Sequence, residues 1–260
     1  MFKQVVRPND GAAWVTGASG GIGRAVTIAL AERGWTVYAT ARTADALEDL
    51  ATPYPGKIHP LPGDVTDLAA MRSAVSRITE QGPLALALLN AGIYHPMRAQ
   101  TFDAEKARLT FDVNLTGVTN ALEPVLAHMI ARGSGHVALT ASVAGYRGLP
   151  NAAPYGATKA GLIALAESLA MDLVDCGVRI SVINPGFVET EATSVNEFEM
   201  PMLMQPEEAA RAIVRGLERP GFEIRFPWIF AMILRLVGLL PNRAYIWTVR
   251  KLLGWDKIDA

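Results

Sequence analysis

Short runs of apolar residues alternate along this chain with longer segments of helical character. The apolar runs are too continuous for a sheet that has one face in water, and the strands of a buried parallel sheet have this pattern. Six strands are predicted on this basis, and a seventh is expected near Phe222–Phe226. The six are Ala12–Thr16, Trp35–Thr40, Lys57–Leu61, Leu84–Asn90, His136–Ala141 and Val178–Ile183.

The segments between these runs are long enough for crossover helices, which are expected to begin near Gly23, Asp67, Asp103 and Pro154. A repeated β-α-β pattern predicts an α/β fold with a single doubly wound parallel sheet of Rossmann type, and ligands at the carboxyl ends of its strands. We see no internal repeat or linker. The chain is therefore interpreted as one domain over 1–260, with a core of about 10–225 and a hydrophobic helical C-terminal extension of about 226–260.

Composition narrows the class of protein. Half of the 260 residues are hydrophobic, 19% are charged and the net charge is −1, which argues against disorder and against nucleic-acid binding. The one cysteine, Cys176, is interpreted as a structural thiol in a reducing compartment. Residues Met1–Gln4 lack the apolar run of a signal peptide, and a cytoplasmic location is expected. The four histidines lack metal-ligand spacing, so no metal is predicted.

A glycine-rich turn follows the first predicted strand and leads into a helix. Gly17 permits a sharp turn, Gly21 lets the backbone approach a pyrophosphate, and Gly23 allows close helix packing. The free N–H groups and the dipole of a helix N-terminus favour phosphate. A flexible turn is the alternative, and the flanking strand and helix argue against it. The sequence therefore predicts a dinucleotide site.

The end of the second strand bears on the choice between NADP(H) and NAD(H). An acidic residue there would bond the ribose 2′-hydroxyl, but the strand ends in Tyr38–Thr43 without one. Arg42 can pair with a 2′-phosphate, although an ordinary surface arginine remains the alternative. NADP(H) is therefore favoured. NAD(H) stays possible because Gly20 stands where a second basic residue would strengthen the assignment.

Over about residues 10–215 the sequence resembles the short-chain dehydrogenase/reductase family. Each matching motif is modest by itself, and their joint order and spacing are specific. The motifs are Thr16-Gly17-Ala18-Ser19-Gly20-Gly21-Ile22-Gly23, Asp64-Val65, Asn90-Ala91-Gly92, Asn114, Ser142, Tyr155-x-x-x-Lys159 and Pro185-Gly186.

The resemblance implies cofactor contacts along the whole motif set. It places Ser19, Gly20 and Ile22 at the cofactor with the glycines of the turn, and Asp64 and Val65 at the adenine ring. The segment Asn90, Ala91 and Gly92 is expected along the cofactor. Pro185, Gly186, Val188 and Thr190 are expected near the nicotinamide, where Lys159 would bind the ribose. Homodimers or homotetramers are common in the family.

Tyr155 and Lys159 are four residues apart and therefore share one face of a helix. The Lys159 ammonium and the positive nicotinamide are expected to lower the tyrosine pKa, so that Tyr155 serves as proton donor and acceptor. Ser142, at the end of the fifth strand, is expected to polarise a substrate carbonyl. By resemblance, Asn114 holds a water that links Lys159 to solvent. A serine hydrolase is disfavoured because Ala141–Gly145 lacks the first glycine of a nucleophile elbow.

The segments after Pro185-Gly186 concern the substrate. Thr190–Gln205 contains Phe198–Met204 and is either an apolar lid or a loop packed on the core. Phe226–Leu240 and Ala244–Leu253 are strongly hydrophobic with interspersed basic residues. Such a tail packs on the cleft or on a second subunit, or it contacts a membrane surface peripherally.

The sequence thus predicts an NADP(H)-dependent oxidoreductase that reduces a carbonyl or oxidises an alcohol on an apolar small molecule. Two alternatives remain at this point: a non-catalytic NADP(H)-binding regulator, and a protein that acts at a membrane surface through its tail.

Overall fold

The computed structural model describes residues 5–195 and 200–252 of the chain. Seven strands form its central sheet: β1 (Ala12–Thr16), β2 (Val37–Thr40), β3 (Ile58–Pro60), β4 (Leu84–Leu89), β5 (Gly135–Thr140), β6 (Val178–Pro185) and β7 (Glu223–Phe226). All neighbouring strands pair in parallel, in the order β3-β2-β1-β4-β5-β6-β7. The predicted doubly wound, Rossmann-type sheet is confirmed.

Helices cover both faces of this sheet, which is why the central strands are apolar on both sides. They are α1 (Gly21–Glu32), α2 (Ala44–Ala51), α3 (Leu68–Gln81), α4 (Ala104–Phe111), α5 (Gly117–Arg132), α6 (Ala153–Asp172), α7 (Pro206–Leu217), α8 (Trp228–Gly238) and α9 (Asn242–Leu252). Helices α1, α2 and α7 pack on one face, and α3, α5 and α6 pack on the other. Every residue of β4 is buried.

The helix starts predicted at two aspartates are confirmed by their capping bonds. The side chain of Asp67 accepts hydrogen bonds from the first N–H groups of α3, and Asp103 does the same for α4. The helix expected to begin near Asp103 is divided by a π-helical turn at Asp112–Thr116, which joins α4 to α5. Helices α2 and α7 were not predicted.

The predicted C-terminal extension consists of α8 and α9, and polar contacts attach it to the turn after β5. The Arg147 guanidinium donates to the carbonyl oxygens of Gly238 and Leu240 and to Oδ1 of Asn242. It also lies 4.0 Å from the ring centre of Tyr245. Over the described ranges, no helix combines the length and the apolar character needed to cross a membrane.

Replacing Arg147 by methionine should loosen α8 and α9. The change removes three charge-assisted hydrogen bonds, and a loss of about 2 kcal/mol in local opening free energy corresponds to roughly 30-fold faster amide exchange. Hydrogen exchange followed by mass spectrometry should show this in peptides from 228–252 and not in peptides from β1 or β4.

The matched control is Arg33→Met, which removes a solvent-exposed ion pair with Glu218. Unchanged exchange over 228–252 in Arg147→Met would show that apolar contacts alone hold the extension.

Candidate active site

A cleft of about 840 Å³ runs along the carboxyl ends of the strands. The glycine-rich turn lies at one end, and apolar side chains from α8 and α9 line the other. Most of the residues predicted to bind cofactor line this cleft. They are Gly17, Ser19, Gly20, Gly21, Ile22, Arg42, Asp64, Val65, Asn90, Ala91, Gly92, Tyr155, Lys159, Pro185, Gly186, Val188 and Thr190.

The glycine-rich turn has the backbone geometry that glycine favours. Gly17 and Gly21 have φ values of +68° and +50°, in the left-handed region. A β-carbon on Gly21 would stand 2.9 Å from Cγ2 of Thr190. The turn ends at the N-terminus of α1, where Gly20 supplies no capping side chain. Its first N–H groups are therefore available to an anion.

Gly23 lies beneath the cleft rather than on its wall. A β-carbon there would stand 2.1 Å from the carbonyl oxygen of Gly17 and 2.7 Å from Nδ2 of Asn90. The first turn of α1 can approach β1 and β4 this closely only because Gly23 has no side chain. Gly23 was expected both to allow close packing and to contact the cofactor with the other glycines; the structure shows the packing, and Gly23 does not line the cleft.

The end of β2 carries Arg42, whose side chain is exposed at the cleft. Asp64 lies farther along the same wall, and its Oδ1 accepts hydrogen bonds from the backbone N–H and the hydroxyl of Thr66. Nδ2 of Asn120 donates to the carbonyl oxygen of Val65. These bonds fix the backbone of the loop after β3 beside the predicted adenine position.

Thr16 supports the cleft and was not singled out from the sequence. Its Oγ1 accepts hydrogen bonds from the backbone N–H groups of Asn90 (3.0 Å) and Ala91 (3.2 Å). The hydroxyl thereby fixes the end of β4 to the end of β1. The sequence feature that could have indicated this role is a hydroxyl residue at the last position of a buried strand.

Tyr155 and Lys159 project from α6 towards Ser142, which follows β5. The strand ends at Thr140, so Ser142 lies just beyond the strand rather than at its end, and its Oγ accepts from the N–H of Ala144 at 3.1 Å. Nζ of Lys159 donates to the carbonyl oxygen of Thr140 at 2.7 Å. The Ser142 Oγ donates to the carbonyl oxygen of Pro185 at 3.4 Å, and Ser142 lies close enough to Tyr155 to influence the tyrosine pKa. The structure brings the three predicted groups together.

Burial controls the protonation of Tyr155 and Lys159. It raises the pKa of Tyr155 to about 12, a hydrogen bond with Ser142 acts in the lowering direction, and Tyr94 adds a smaller increase. Burial also lowers the pKa of Lys159 to about 8. The predicted lowering of the Tyr155 pKa by Lys159 is absent from the protein groups taken alone, because burial of the phenol dominates and Lys159 is not among the groups that shift this pKa. The contribution of the nicotinamide stays a prediction.

Asn114 is fully buried within the π-helical turn and does not line the cleft. Its amide oxygen accepts from the N–H of Ile93, and its nitrogen donates to the carbonyl oxygen of Ile93 and to Oγ1 of Thr158. Thr158 in turn donates to the carbonyl oxygen of Tyr155. Asn114 thus joins the loop after β4 to the start of α6, and the proton relay through it stays a prediction.

Tyr94 is a second residue that the sequence analysis missed. Its ring meets the ring of Tyr155 edge-on, with centres 5.0 Å apart. The only sequence signal is its position just after the Asn90-Ala91-Gly92 motif. Tyr94 therefore limits the space beside the Tyr155 hydroxyl.

The far end of the cleft is apolar. The wall formed there by α8 and α9 consists of Phe230, Ile233, Leu234, Val237, Val249 and Leu252. From the predicted lid, Pro201 and Met202 line the cleft, while Met204 packs against the core. Phe198 and Glu199 of that lid lie outside the described residues.

Other chemistry has little support in the described ranges. Within them, no group of three or more His, Cys, Asp or Glu side chains is arranged to hold a metal ion. The partly buried Cys176 directs its Sγ towards the carbonyl oxygen of Asp172 at 3.6 Å, as a thiol at a helix end does.

Comparisons with known proteins agree with this geometry. Residues 11–199 match the family model described as short chain dehydrogenase. An uncharacterized oxidoreductase of Myxococcus xanthus is 38% identical over 244 residues, covering 92% of this chain and 96% of the relative. The 3-oxoacyl-[acyl-carrier-protein] reductase of Thermotoga maritima is 30% identical over 77% of this chain and 87% of that protein.

Solved structures show the same architecture. A short chain dehydrogenase from Burkholderia cenocepacia in complex with NADP superposes with a TM-score of 0.81 at 26% identity, covering 95% of this chain and 99% of that one. A second, from Burkholderia phymatum in complex with NAD, has a TM-score of 0.79 at 23% identity over 89% and 94% of the two chains, and it supports the fold alone.

Replacing Lys159 by methionine should stabilise the fold near neutral pH. The pKa of Lys159 falls from 10.5 to about 8 on folding, so the unfolded chain binds more protons between these values and stability rises with pH across that window. Burying the ammonium at pH 7 costs roughly 3 kcal/mol, and losing the bond to Thr140 costs about 1 kcal/mol. Urea unfolding at pH 7 should therefore show a net gain of about 1–3 kcal/mol.

The gain should shrink as the pH rises from about 8 and should vanish above 10.5, where the wild-type lysine is neutral in both states. The exposed Lys57→Met is the matched control and should leave stability unchanged at both pH values. If Lys159→Met were less stable than the wild type at pH 7, burial of the Lys159 ammonium would not reduce the free energy of unfolding.

Proposed function

The chain belongs to the short-chain dehydrogenase/reductase family, and from this premise we propose that it moves a hydride between NADP(H) and an apolar carbonyl or alcohol. Tyr155 is the general acid and base of this proposal. The observation that carries it is the meeting of Tyr155, Ser142 and Lys159 between the glycine-rich turn and the apolar end of one cleft. A non-catalytic regulator would have no use for that arrangement.

The residues of the cleft fit a nicotinamide dinucleotide. Gly21 leaves open a backbone surface that a β-carbon would fill, and the uncapped N-terminus of α1 faces the same space. Arg42, with no acid at the end of β2, matches a 2′-phosphate. The Burkholderia cenocepacia relative was solved with NADP, which supports the same choice here. The bound cofactor would supply the hydride, and the protein supplies the remaining groups.

The proton chemistry follows from burial. With its pKa raised to about 12, Tyr155 is protonated at neutral pH and can donate to a developing alkoxide. The Ser142 hydroxyl lies beside it and can polarise the substrate carbonyl. A phenol that holds its proton so firmly favours carbonyl reduction near neutral pH. Alcohol oxidation, which needs the phenolate, is favoured at higher pH.

The substrate is proposed to be apolar because the cleft beyond Tyr155 is lined by aromatic and aliphatic side chains. Phe230, Ile233 and Val237 of α8 face this space, and Leu109 and Val113 face it from the side of α4. Burial of apolar surface contributes roughly 25 cal/mol per Å², so an alkyl or ring substrate gains affinity along this wall. The Thermotoga maritima relative is named for a 3-oxoacyl substrate, which supports including such thioesters in a substrate screen.

Tyr155→Phe should remove turnover and leave cofactor binding nearly unchanged, since only the phenolic oxygen and its proton are lost. General acid–base groups contribute roughly 10²–10⁴-fold in rate. NADPH consumption would be followed with long-chain aldehydes, ketones and 3-oxoacyl thioesters, and NADPH affinity by fluorescence titration. Tyr94→Phe, which removes the hydroxyl of the neighbouring ring, is the matched control and should stay active.

More than a tenth of wild-type activity in Tyr155→Phe would reject Tyr155 as the acid. If the wild type bound NADPH and consumed none with any carbonyl of the panel, the regulator alternative would be favoured.

Arg42→Asp should shift preference from NADP(H) towards NAD(H). The change removes the partner of a 2′-phosphate and places a carboxylate where a ribose hydroxyl can bond it. The ratio of kcat/KM for NADPH to that for NADH should fall by at least about tenfold. Arg24→Asp, an exposed position on α1 outside the cleft, controls for the general change of charge. An equal ratio in Arg42→Asp and wild type would mean that Arg42 does not contact the phosphate.

A further inference from the structure

Helix α8 is apolar at every position except Arg235 and Gly238, yet Ala231 is the one residue that it buries. Ala231, Arg235 and Gly238 recur along one side of the helix, which we call the anchor face. Arg235 pairs with Oε2 of Glu223 on β7 at 2.9 Å and lies over the ring of Tyr146 at 4.9 Å. The carbonyl of Gly238 accepts from Arg147. Polar contacts therefore attach α8, and its large apolar side chains point elsewhere.

Those side chains divide into two further faces. The cleft face consists of Phe230, Ile233, Leu234 and Val237, at the i, i+3, i+4 and i+7 spacing of one helix side. The outer face consists of Trp228, Ile229, Leu236 and Leu239, which are exposed and outside the cleft. Leu239 is 81% exposed. The outer face of α8 is therefore a contiguous apolar stripe with no packing partner among the described residues.

Helix α9 adds basic side chains to apolar ones. Its outer face carries Arg243, Ile246, Trp247 and Arg250, at the i, i+3, i+4 and i+7 positions, and all four are exposed. Lys251 follows, with its Nζ 5.3 Å from the ring centre of Trp247. The sequence contains no Asp or Glu between Glu223 and Asp256. The surface of α8 and α9 thus combines exposed tryptophans and aliphatic groups with positive charge alone.

We propose that the outer faces of α8 and α9 dock on an anionic lipid surface. Apolar residues beside Trp, Lys and Arg suit the interface between headgroups and acyl chains, and the charge complements acidic headgroups. A second copy of this chain is a poorer occupant of this surface. A two-fold interface would bring the basic side chains of both copies, Arg243, Arg250 and Lys251, into one interface to which α8 and α9 contribute no acidic side chain.

The docked position would place the mouth of the cleft beside the lipid. Ile233 and Leu252 line the cleft and are also 44% and 67% exposed, so the apolar wall of the cleft continues onto the outer surface. An apolar substrate dissolved in the bilayer would then enter the cleft without crossing water. The entry of substrate from the bilayer rests on the proposed carbonyl reduction, whereas docking on the lipid surface does not.

The test is sedimentation of the full-length protein with vesicles. The wild type should bind vesicles of phosphatidylcholine mixed with phosphatidylglycerol and bind pure phosphatidylcholine weakly. The double variant Leu236→Glu with Leu239→Glu should lose at least about tenfold in affinity for the mixed vesicles, because it places carboxylates on the apolar stripe. Arg243→Gln with Lys251→Gln should weaken binding to the mixed vesicles and leave the weak phosphatidylcholine binding unchanged.

The matched control is Met171→Glu. Met171 is 67% exposed near the C-terminal end of α6, which lies away from the cleft. The Met171→Glu protein should bind vesicles as the wild type does. Thermal melts of each variant establish that it is folded. Mass photometry without lipid determines whether the leucine pair changes the oligomeric state.

No binding of wild type to either vesicle would overturn the proposal, as would equal binding by the leucine-pair variant. A smaller assembly in that variant with undiminished vesicle binding would identify the patch as an interface between copies and also overturn it. Sedimentation measures docking without turnover, so it distinguishes a failure of docking from a failure of the proposed reaction.

Discussion

The site depends on how closely the first turn of α1 approaches the ends of β1 and β4. A β-carbon on Gly23 would stand 2.1 Å from the carbonyl oxygen of Gly17, so any larger residue would push the helix away. With that contact in place, Nδ2 of Asn90 lies near the turn and Thr16 holds the backbone of Asn90 and Ala91. A chain of hydrogen bonds then continues through Ile93, Asn114 and Thr158 to the backbone of Tyr155. The position of the proposed acid is thus connected to the proposed cofactor cradle by these hydrogen bonds and the short backbone segment from Ala91 to Ile93.

The same close packing removes water from the two groups that would exchange protons. Burial raises the pKa of Tyr155 and lowers that of Lys159, so it disfavours the charged form of both side chains. A neutral phenol is the form that donates a proton, whereas a buried ammonium costs stability. Burial of the Lys159 ammonium therefore costs folding free energy, a cost that would fit the catalytic role proposed for this residue.

Sequence reasoning recovered the features that local pattern determines and missed those that depend on distant contacts. Six strands followed from apolar runs, the seventh was expected near Phe222–Phe226, and Asp67 and Asp103 marked helix starts because capping is local. Helices α2 and α7 were missed although their apolar positions recur at helical spacing. Tyr94 meets Tyr155, and Thr16 meets Asn90, only after the strands have aligned, so neither contact leaves a local signal.

The turn after β5 links the chemistry to the wall of the cleft. Ser142 begins this turn, Tyr146 bonds Glu223 and stacks on Arg235 of α8, and Arg147 holds the end of the same helix. Because α8 fully buries a single residue, these polar contacts, together with the packing of Phe230 against Phe187, determine where its cleft face lies. Glu223 is suited to this position because hydrogen bonds from Tyr146, Asn184 and Arg225, with the charge of Arg235, outweigh its burial and lower its pKa. A carboxylate that stays ionised keeps α8 in place. The turn from Ser142 to Arg147 thereby determines the distance between Ser142 and the apolar wall of the cleft. The outer face of α8 remains available for contacts outside the molecule.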